Sequence, residues 1–218
     1  MRVLALDGAL AAFSCAIVDD ETVLAQQELP GNVALERGLK AIAQTLERSA
    51  IDPRALDRLA VGIGPGSFTG TRIAISYAKS LAQGWSLPLV GISSFDALEE
   101  GLANSRAAAL LTVVRGRRGV VSARLRTADA QRRASGPIAD VIAQLAPPAD
   151  TPLCIAGDAE DVLAQLGERA EGVRVLERRF HPAALAVARA ALRRVPAHSA
   201  HAVRADYGER PAVTPPKS

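Results

Sequence analysis

The stretch RLAVGIGPGSFTGTRIAISYAKSLAQG, residues 58–84, decides the fold. It begins with an apolar, strand-like run, passes through a glycine-rich loop and continues into a helix-like run. We expect this helix from about Thr69 to Gln83, with Gly84 as its C-terminal stop. Because glycine-rich loops that open a helix often hold phosphate, the loop raises the first functional question.

The loop misses the spacing of three enzymatic motifs. The motif GxxxxGK[ST] needs four residues between its glycines, whereas three separate Gly66 from Gly70, and Arg72 cannot supply the lysine. The dinucleotide fingerprint GxGxxG fails because Gly70 comes one residue too late after Gly64 and Gly66. The nucleophile elbow GxSxG fails because Pro65 stands at its first glycine.

A structural interpretation of the loop is simpler. Pro65 and Gly66 suit a type II turn, and Ser67 or Thr69 can accept from the first free N–H groups of the helix. On this interpretation the loop launches and orients the helix. A weak anion site at the helix start stays open as the alternative.

The first half of the chain has a regular order of elements around this loop. Three strand-like runs (RVLAL, AAFSCAIV and TVLAQQEL) precede a helix over 33–48 with an apolar stripe. After the loop and its helix come the strand PLVGI and a helix from Phe95 to about Ala103, capped by Ser93 or Ser94. The order βββαβαβα predicts an antiparallel meander extended by right-handed parallel crossovers.

The second half resembles a shortened copy of the same plan. We expect strands over 107–114, 120–127, 152–156 and 173–177, and helices over 137–145, 159–168 and 182–195. The predicted domains are a first lobe at 1–104, a smaller second lobe at 105–195 and an irregular proline-containing tail at 196–218. The fold class is therefore α/β with two lobes.

Composition excludes several classes of protein. The net charge of +3 is too small to mark a dedicated nucleic-acid binder. Cys15 and Cys154 lie far apart in apolar runs, which predicts buried free thiols in a reducing compartment. Apolar runs such as AAALLTVV are too short to span a bilayer, so we expect a cytoplasmic protein.

Helix 69–83 is apolar on more than one side. Ile73, Tyr77 and Leu81 form one row, while Ile75, Ala78 and Ala82 form another. Such a helix is either wholly buried or is buried on one side and docked to a partner on the other. The stripe on helix 33–48 could extend a docking surface of this kind.

Few residues are candidates for chemistry. Asp7 ends the first strand, where it could serve a nucleotide cleft, but the residues after it offer only backbone donors, so we interpret Asp7 as shaping a turn. His198 and His201 have no cysteine cluster nearby, and HExxH is absent, so we predict no metal site. The arginines of 115–133 form either a solvated basic face or one that touches nucleic-acid phosphates, with Arg124 and Arg126 projecting together.

The segments MRVLALDGA, GIGPGSFTGTRIAISYAKSLAQG and LPLVGISSFDAL resemble the bacterial TsaB family, also called YeaZ, over roughly residues 1–100. The resemblance implies the two-lobed actin/hexokinase/sugar-kinase-like (ASKHA) fold. It implies a non-catalytic accessory subunit for making threonylcarbamoyladenosine beside the tRNA anticodon. The motif loop that carries the resemblance comprises Gly64, Pro65, Gly66, Ser67, Phe68, Thr69, Gly70 and Arg72.

The resemblance also implies the partners and the site. The chain would bind and stabilise the catalytic TsaD subunit, act with the ATPase TsaE, and meet tRNA only within the complex. When alone it would be either a homodimer or a monomer. It would carry no cofactor of its own, with ATP or ADP and metal bound by partner subunits, while Asp7 and Gly8 would mark a degenerate nucleotide cleft. The partner interface would comprise Leu35, Leu39, Ile42, Leu46, Ile73, Tyr77 and Leu81.

The main alternative is an enzyme of the same fold. A small ASKHA-type ATPase or kinase would use Asp7 and the loop glycines to bind magnesium and nucleotide. A peptidase would need a metal pair or a nucleophile with its base, and neither pattern is present in the sequence.

Overall fold

Two five-stranded mixed sheets form the framework of the protein, as seen in a computed structural model that describes residues 1–10, 12–30, 33–102, 108–117, 119–147 and 151–208. The strands are β1 (Arg2–Asp7), β2 (Ser14–Asp19), β3 (Thr22–Glu28), β4 (Arg58–Gly62), β5 (Leu89–Ile92), β6 (Ala109–Arg115), β7 (Val120–Thr127), β8 (Gln131–Pro137), β9 (Leu153–Gly157) and β10 (Arg174–Leu176). The helices are α1 (Ala34–Ser49), α2 (Phe68–Trp85), α3 (Ser94–Glu99), α4 (Ile138–Leu145), α5 (Glu160–Leu166) and α6 (Ala183–Ala191).

The first sheet has the predicted topology. Its strand order is β3-β2-β1-β4-β5, with β1, β2 and β3 antiparallel and with β4 parallel to both β1 and β5. Side chains alternate between its two faces. Leu4 and Leu6 pack with α1 and α2, while Val3 and Ala5 pack with α6 on the other face.

The second sheet has the order β10-β9-β6-β7-β8 and carries α4 and α5 on one face. Strand β8 was not predicted. It pairs with β7 along its whole length, although its sequence QRRASGP is polar and contains glycine and proline. Such a sequence is tolerated because β8 is an edge strand, with a neighbour on one side only.

The predicted assignment of the last helix to the second lobe is wrong. Helix α6 packs on β1, β2, β4 and β5 of the first sheet, and eight of its nine residues are buried. This alanine-rich helix can lie close to small side chains of the first sheet, such as Ala5 and Ala60. The chain therefore returns from the second sheet to the first. The predicted boundary at 104 falls within 103–107, outside the described residues.

The predicted tail is irregular but well packed over its described part. The Ala197 N–H donates to the Leu89 carbonyl (3.1 Å), which covers the edge of β5. A 3-10 turn over Ala200–Ala202 then contacts α2, and Val203 is buried in the core between α2 and the first sheet. Residues 209–218 lie outside the described residues.

Smaller features of the first lobe follow from local chemistry. Helix α2 continues past Gly84 to Trp85 and ends at Ser86, which adopts a left-handed conformation (φ +56°). Helix α3 stops at Glu99, short of the predicted Ala103. Cys15 and Cys154 are buried free thiols, as predicted. None of the helices in the described residues is long and apolar enough to cross a membrane.

Candidate functional site

The glycine-rich loop connects β4 to α2 and caps the helix. Ser67 is the N-cap, and its hydroxyl accepts from the Gly70 N–H (3.2 Å). The Thr71 hydroxyl donates back to the Ser67 carbonyl (2.6 Å). The predicted cap is therefore confirmed, but the type II turn is not, because Gly66 has φ +148° where that turn needs about +80°.

The loop packs directly on the turn that follows β1. The Ser67 N–H donates to the Ala9 carbonyl (2.9 Å). A Cβ at Gly70 would overlap the Gly8 carbonyl oxygen, and a Cβ at Gly66 would overlap that of Ala9. An anion site at a helix start needs free N–H groups and open space. Here the Ala9 carbonyl and the Ser67 hydroxyl accept from two of the N–H groups, and the backbone of Gly8 and Ala9 fills the adjacent space, which argues against the weak anion site that the sequence left open.

The exposed tip of the loop carries an aromatic pair with an arginine. The rings of Phe68 and Tyr207 lie 4.9 Å apart, and the Arg72 guanidinium lies 4.5 Å from the centre of the Phe68 ring. Arg72 Nε also donates to the Tyr207 hydroxyl (3.2 Å). Two side chains of the motif loop thus contact the C-terminal segment of the chain.

The predicted interface residues of α1 divide into two groups. Leu35 and Leu39 are 70% and 55% exposed, whereas Ile42 is only 2% exposed. Leu46 is half-buried at the margin of the core. Ile42 therefore belongs to the core and is removed from the candidate surface, because a partner could not reach it.

The interior face of α1 is made of small residues. Ala34, Gly38, Ala41 and Thr45 are buried beneath the helix. A Cβ at Gly38 would overlap the Tyr77 ring of α2, so the glycine lets the two helices approach closely. The exposed side chains of Leu35 and Leu39 therefore lie beside this buried face and not within it.

The predicted row on α2 lies at the edge of the core. Ile73, Tyr77 and Leu81 are half-buried, and all three pack against the core between the helices and the sheet. The Tyr77 hydroxyl donates to the carbonyls of Ala34 (3.2 Å) and Leu35 (2.8 Å), which fixes α1 against α2. The side chains of α1 and α2 thus form one surface, here called the helix α1/α2 surface.

Asp7 lies at the carboxyl end of β1 and is fully buried. One oxygen accepts from the Leu10 N–H (2.9 Å), but Oδ2 has no hydrogen-bond partner among the described residues and lies where a Cβ on Gly62 would be. Burial raises the pKa of Asp7 to about 6, while the Leu10 N–H and the charge of Arg178 oppose that rise. Asp7 accepts this hydrogen bond from the turn after β1, as the turn-shaping interpretation expects.

A cleft of about 770 Å³ lies between the two sheets beyond this turn. Its lining combines apolar side chains with charged ones, including Arg115, Asp158, Glu177 and Arg178. Burial lowers the pKa of Arg178, and its Nε and Nη2 have no hydrogen-bond partner in the described parts of the chain. No sequence pattern singled out Arg178, which follows the short strand β10 together with Arg179.

The arginines of the second sheet do not all face solvent. Arg124 is 4% exposed and pairs with Asp96 (2.7 Å) and Glu99 (2.8 Å) of α3. Arg126 pairs with the second oxygen of Glu99 (3.1 Å), and the Thr112 hydroxyl donates to the first (2.5 Å). Arg124 and Arg126 do project together, but they bind α3, so the predicted solvated or tRNA-facing role is wrong for Arg124. Arg118 lies outside the described residues.

The histidines form no cluster in the described structure. His181, His198 and His201 are all exposed. No group of three or more His, Cys, Asp or Glu side chains within the described residues is placed to hold a metal ion.

Comparisons with known proteins agree with the geometry. The family model described as TsaD, tRNA N6-adenosine threonylcarbamoyltransferase, matches residues 34–196. The tRNA threonylcarbamoyladenosine biosynthesis protein TsaB of Escherichia coli is 41% identical over 101 residues, which are 46% of this chain and 44% of that protein. The matched region thus spans less than half of the length of this curated relative.

Solved structures show the same architecture. YeaZ from Pseudomonas aeruginosa superposes with a TM-score of 0.73 at 23% identity, covering 94% of this chain and 99% of that one. The ROK hexokinase from Thermus thermophilus superposes with a TM-score of 0.52 at 12% identity, covering 87% and 97% of the two chains. These likenesses confirm the predicted ASKHA fold.

The resemblance that the motif loop predicted is therefore confirmed. Three-quarters of the chain match the family model, and curated TsaB proteins are among its relatives. The chain belongs to the family that the TsaD model describes, and its recognised relatives are TsaB/YeaZ proteins.

Proposed function

We propose that this protein is a non-catalytic subunit required for threonylcarbamoylation of the tRNA adenosine beside the anticodon, and that it binds and stabilises a catalytic TsaD subunit. In this proposal it acts in the cytoplasm, carries no cofactor of its own, and meets tRNA and the TsaE ATPase only within the assembled complex. ATP or ADP and metal belong to the partner subunits. When alone, it pairs with a second copy through the same surface.

The observation that carries the proposal is the exposure of Leu35 and Leu39 on α1. Two leucines four residues apart on one helix face expose apolar area that water solvates poorly, and a helix with an exposed apolar face is suited to pack on another helix. Their neighbours Ile73, Tyr77 and Leu81 extend that area across α2. The cost of solvating these side chains would be relieved in a complex.

The loop supports the non-catalytic part of the proposal. The backbone of Gly8 and Ala9 fills the space beside Gly66 and Gly70, which leaves no room for a phosphate there. Asp7 accepts from the Leu10 N–H within its own turn and is fully buried. Both features favour a turn that fastens the loop to β1 over one that grips a nucleotide.

A mixing experiment on a sizing column tests the proposal. The purified protein and its cognate TsaD are run separately and together, with and without ATP. We expect a new, earlier peak that contains both chains in equal amounts. Separate elution of the two folded proteins at micromolar concentration would contradict the proposal.

The interlobe cleft favours one second candidate, an ATPase or kinase of the same fold. A cleft of about 770 Å³ with charged residues on its wall is large enough for a nucleotide. This candidate predicts magnesium-dependent ATP binding by calorimetry, and turnover that is lost in Asp7→Ala. Heat of binding without turnover would favour the accessory role, since hydrolysis is what separates the two.

A further inference from the structure

The described end of the chain, residues 203–208, crosses the motif loop as a short strap, here called the C-terminal strap. It begins at Val203, which is 5% exposed in the core beneath α2. The Asp206 N–H then donates to the Ile63 carbonyl (2.7 Å) just after β4. Gly64 lacks a Cβ that would otherwise overlap the Asp206 carbonyl oxygen, so the strap lies directly on the loop backbone.

Tyr207 joins the strap to the first turn of α2. Its ring packs at a tilt against that of Phe68, and its hydroxyl accepts from Arg72 Nε. Phe68 and Arg72 stand four residues apart and therefore project from the same side of the helix. Two of the motif residues that could have contacted a ligand instead hold the strap.

The strap also reaches the second sheet. Gly208 lies against the Ser122 and Ser135 hydroxyls of β7 and β8, where a Cβ would overlap the Ser122 oxygen. These two hydroxyls hydrogen-bond to each other (2.8 Å). The Asp206 carboxylate lies 3.7 Å from Arg133 of β8, whose guanidinium covers the Phe95 ring. One six-residue segment thus touches both sheets and the start of α2.

We propose that the C-terminal strap is a positioning device that couples the second sheet to the first turn of α2 and thereby sets the orientation of the helix α1/α2 surface. The proposal rests on the proposed function for its effect on a partner, but the coupling itself belongs to the free chain. Tyr207, Arg72 and Arg133 are its positioning residues. None of them belongs to the predicted partner contacts on α1.

Amide hydrogen exchange in the free full-length chain tests the coupling. In Tyr207→Phe the Thr71 and Arg72 amides should exchange about fivefold faster, as expected when one hydrogen bond of ordinary net strength is lost. Tyr207→Ala should increase the exchange further. The matched control is Arg204→Ala, which shortens an exposed side chain of the same strap and should leave both amides unchanged.

A variant on the other sheet separates coupling from local packing. Arg133→Ala should speed exchange at the Thr71 amide by about twofold, because it removes the Asp206 contact from the second lobe. Arg132→Ala, at an exposed neighbour on β8, should not. If Tyr207→Ala also speeds exchange at Leu4 in the core, the fold itself has loosened, and Tyr207→Phe and Arg133→Ala decide the matter. Unchanged Thr71 exchange in those two variants would overturn the proposal.

Binding to TsaD then tests the functional consequence. Tyr207→Ala should weaken the complex by about threefold to tenfold, with Arg204→Ala matching the wild type. If the exchange effects appear but TsaD affinity is unchanged, the strap does not set the partner surface, and that part of the proposal is wrong. If even the wild type fails to bind TsaD, the proposed function fails, while the exchange result still decides whether the strap couples the two sheets.

Discussion

The two helical layers of the first sheet differ in what covers their outer sides. Helix α6 has the sheet on one side and α3 on the other, and its valine, leucine and alanine side chains are all buried. Helices α1 and α2 also lie on the sheet, but Leu35 and Leu39 of α1 are more than half exposed. Both layers are rich in apolar residues, so composition alone does not distinguish them.

The difference teaches which apolar residues serve stability and which are available for binding. On the α6 side, the chain supplies its own cover and adds ion pairs, such as Arg194 with Asp96 (3.0 Å). On the α1/α2 side, small residues of α1 pack against the interior, and Leu35 and Leu39 remain exposed to solvent. A mutation should therefore damage the fold on one side and association on the other.

The largest expected effect comes from placing the same charge on both sides. Val187→Glu on α6 should lower the free energy of unfolding by at least about 3 kcal/mol, because it buries an unpaired carboxylate. Leu39→Glu on α1 should change it by less than about 0.5 kcal/mol, because that side chain is already exposed. Urea unfolding followed by circular dichroism measures both, and equal losses would erase the distinction between the two layers.

The ion pairs on the covered side give the next effect. Arg124→Met should cost roughly 3 kcal/mol, because it leaves Glu99 buried with fewer partners. Arg132→Met on the neighbouring strand should cost little, because Arg132 is exposed. Thermal unfolding at low and high salt measures this. A loss in Arg124→Met that vanishes at high salt would show that the pair acts as an exposed one.

Replacing Asp7 should increase the free energy of unfolding, unlike the substitutions above, and the increase should depend on pH. Its folded pKa of about 6 exceeds the usual value of 3.8, so ionisation destabilises the folded state, increasingly as pH rises from about 4 to about 6. Asp7→Asn should therefore be more stable than wild type by roughly 3 kcal/mol at pH 7, and the gain should largely disappear near pH 4. Urea unfolding of both proteins from pH 4 to 7.5 measures it. A gain that is constant over this range would mean that the pKa is not raised.

The smallest effect belongs to the join between α1 and α2. Tyr77→Phe removes the hydroxyl that donates to the Ala34 and Leu35 carbonyls. Because those bonds lie near solvent, we expect a loss of about 1 kcal/mol in unfolding free energy. A loss above that of Val187→Glu would place Tyr77 in the core instead of at the surface.

The order of elements could be predicted because the patterns are local. Continuous apolar runs marked β1 and β2, and serines marked the starts of α2 and α3, where Ser67 and Ser93 are the caps. The long-range facts could not be predicted in the same way. That α6 returns to the first sheet depends on which surface fits an alanine-rich helix, and no residue near it in sequence encodes this.

The candidate site was predicted in part for a related physical reason. The leucine stripe of α1 was visible, but its buried side is made of Ala34, Gly38, Ala41 and Thr45, which a hydrophobic pattern undervalues. This is why Ile42 was placed wrongly among the partner contacts. The role of Tyr207 was also hidden, because its contacts with Phe68 and Arg72 join residues more than 130 positions apart in the chain.

The most direct test of the account is the affinity of TsaD for one charge variant on each side of the sheet. Leu39→Glu should weaken the complex about tenfold or more, because a central apolar contact is replaced by a charge. Val195→Glu, at an 89% exposed position after α6, should leave the affinity unchanged. Both variants should unfold like the wild type in urea. Equal TsaD affinity for Leu39→Glu and wild type would contradict the central claim that the helix α1/α2 surface binds the partner.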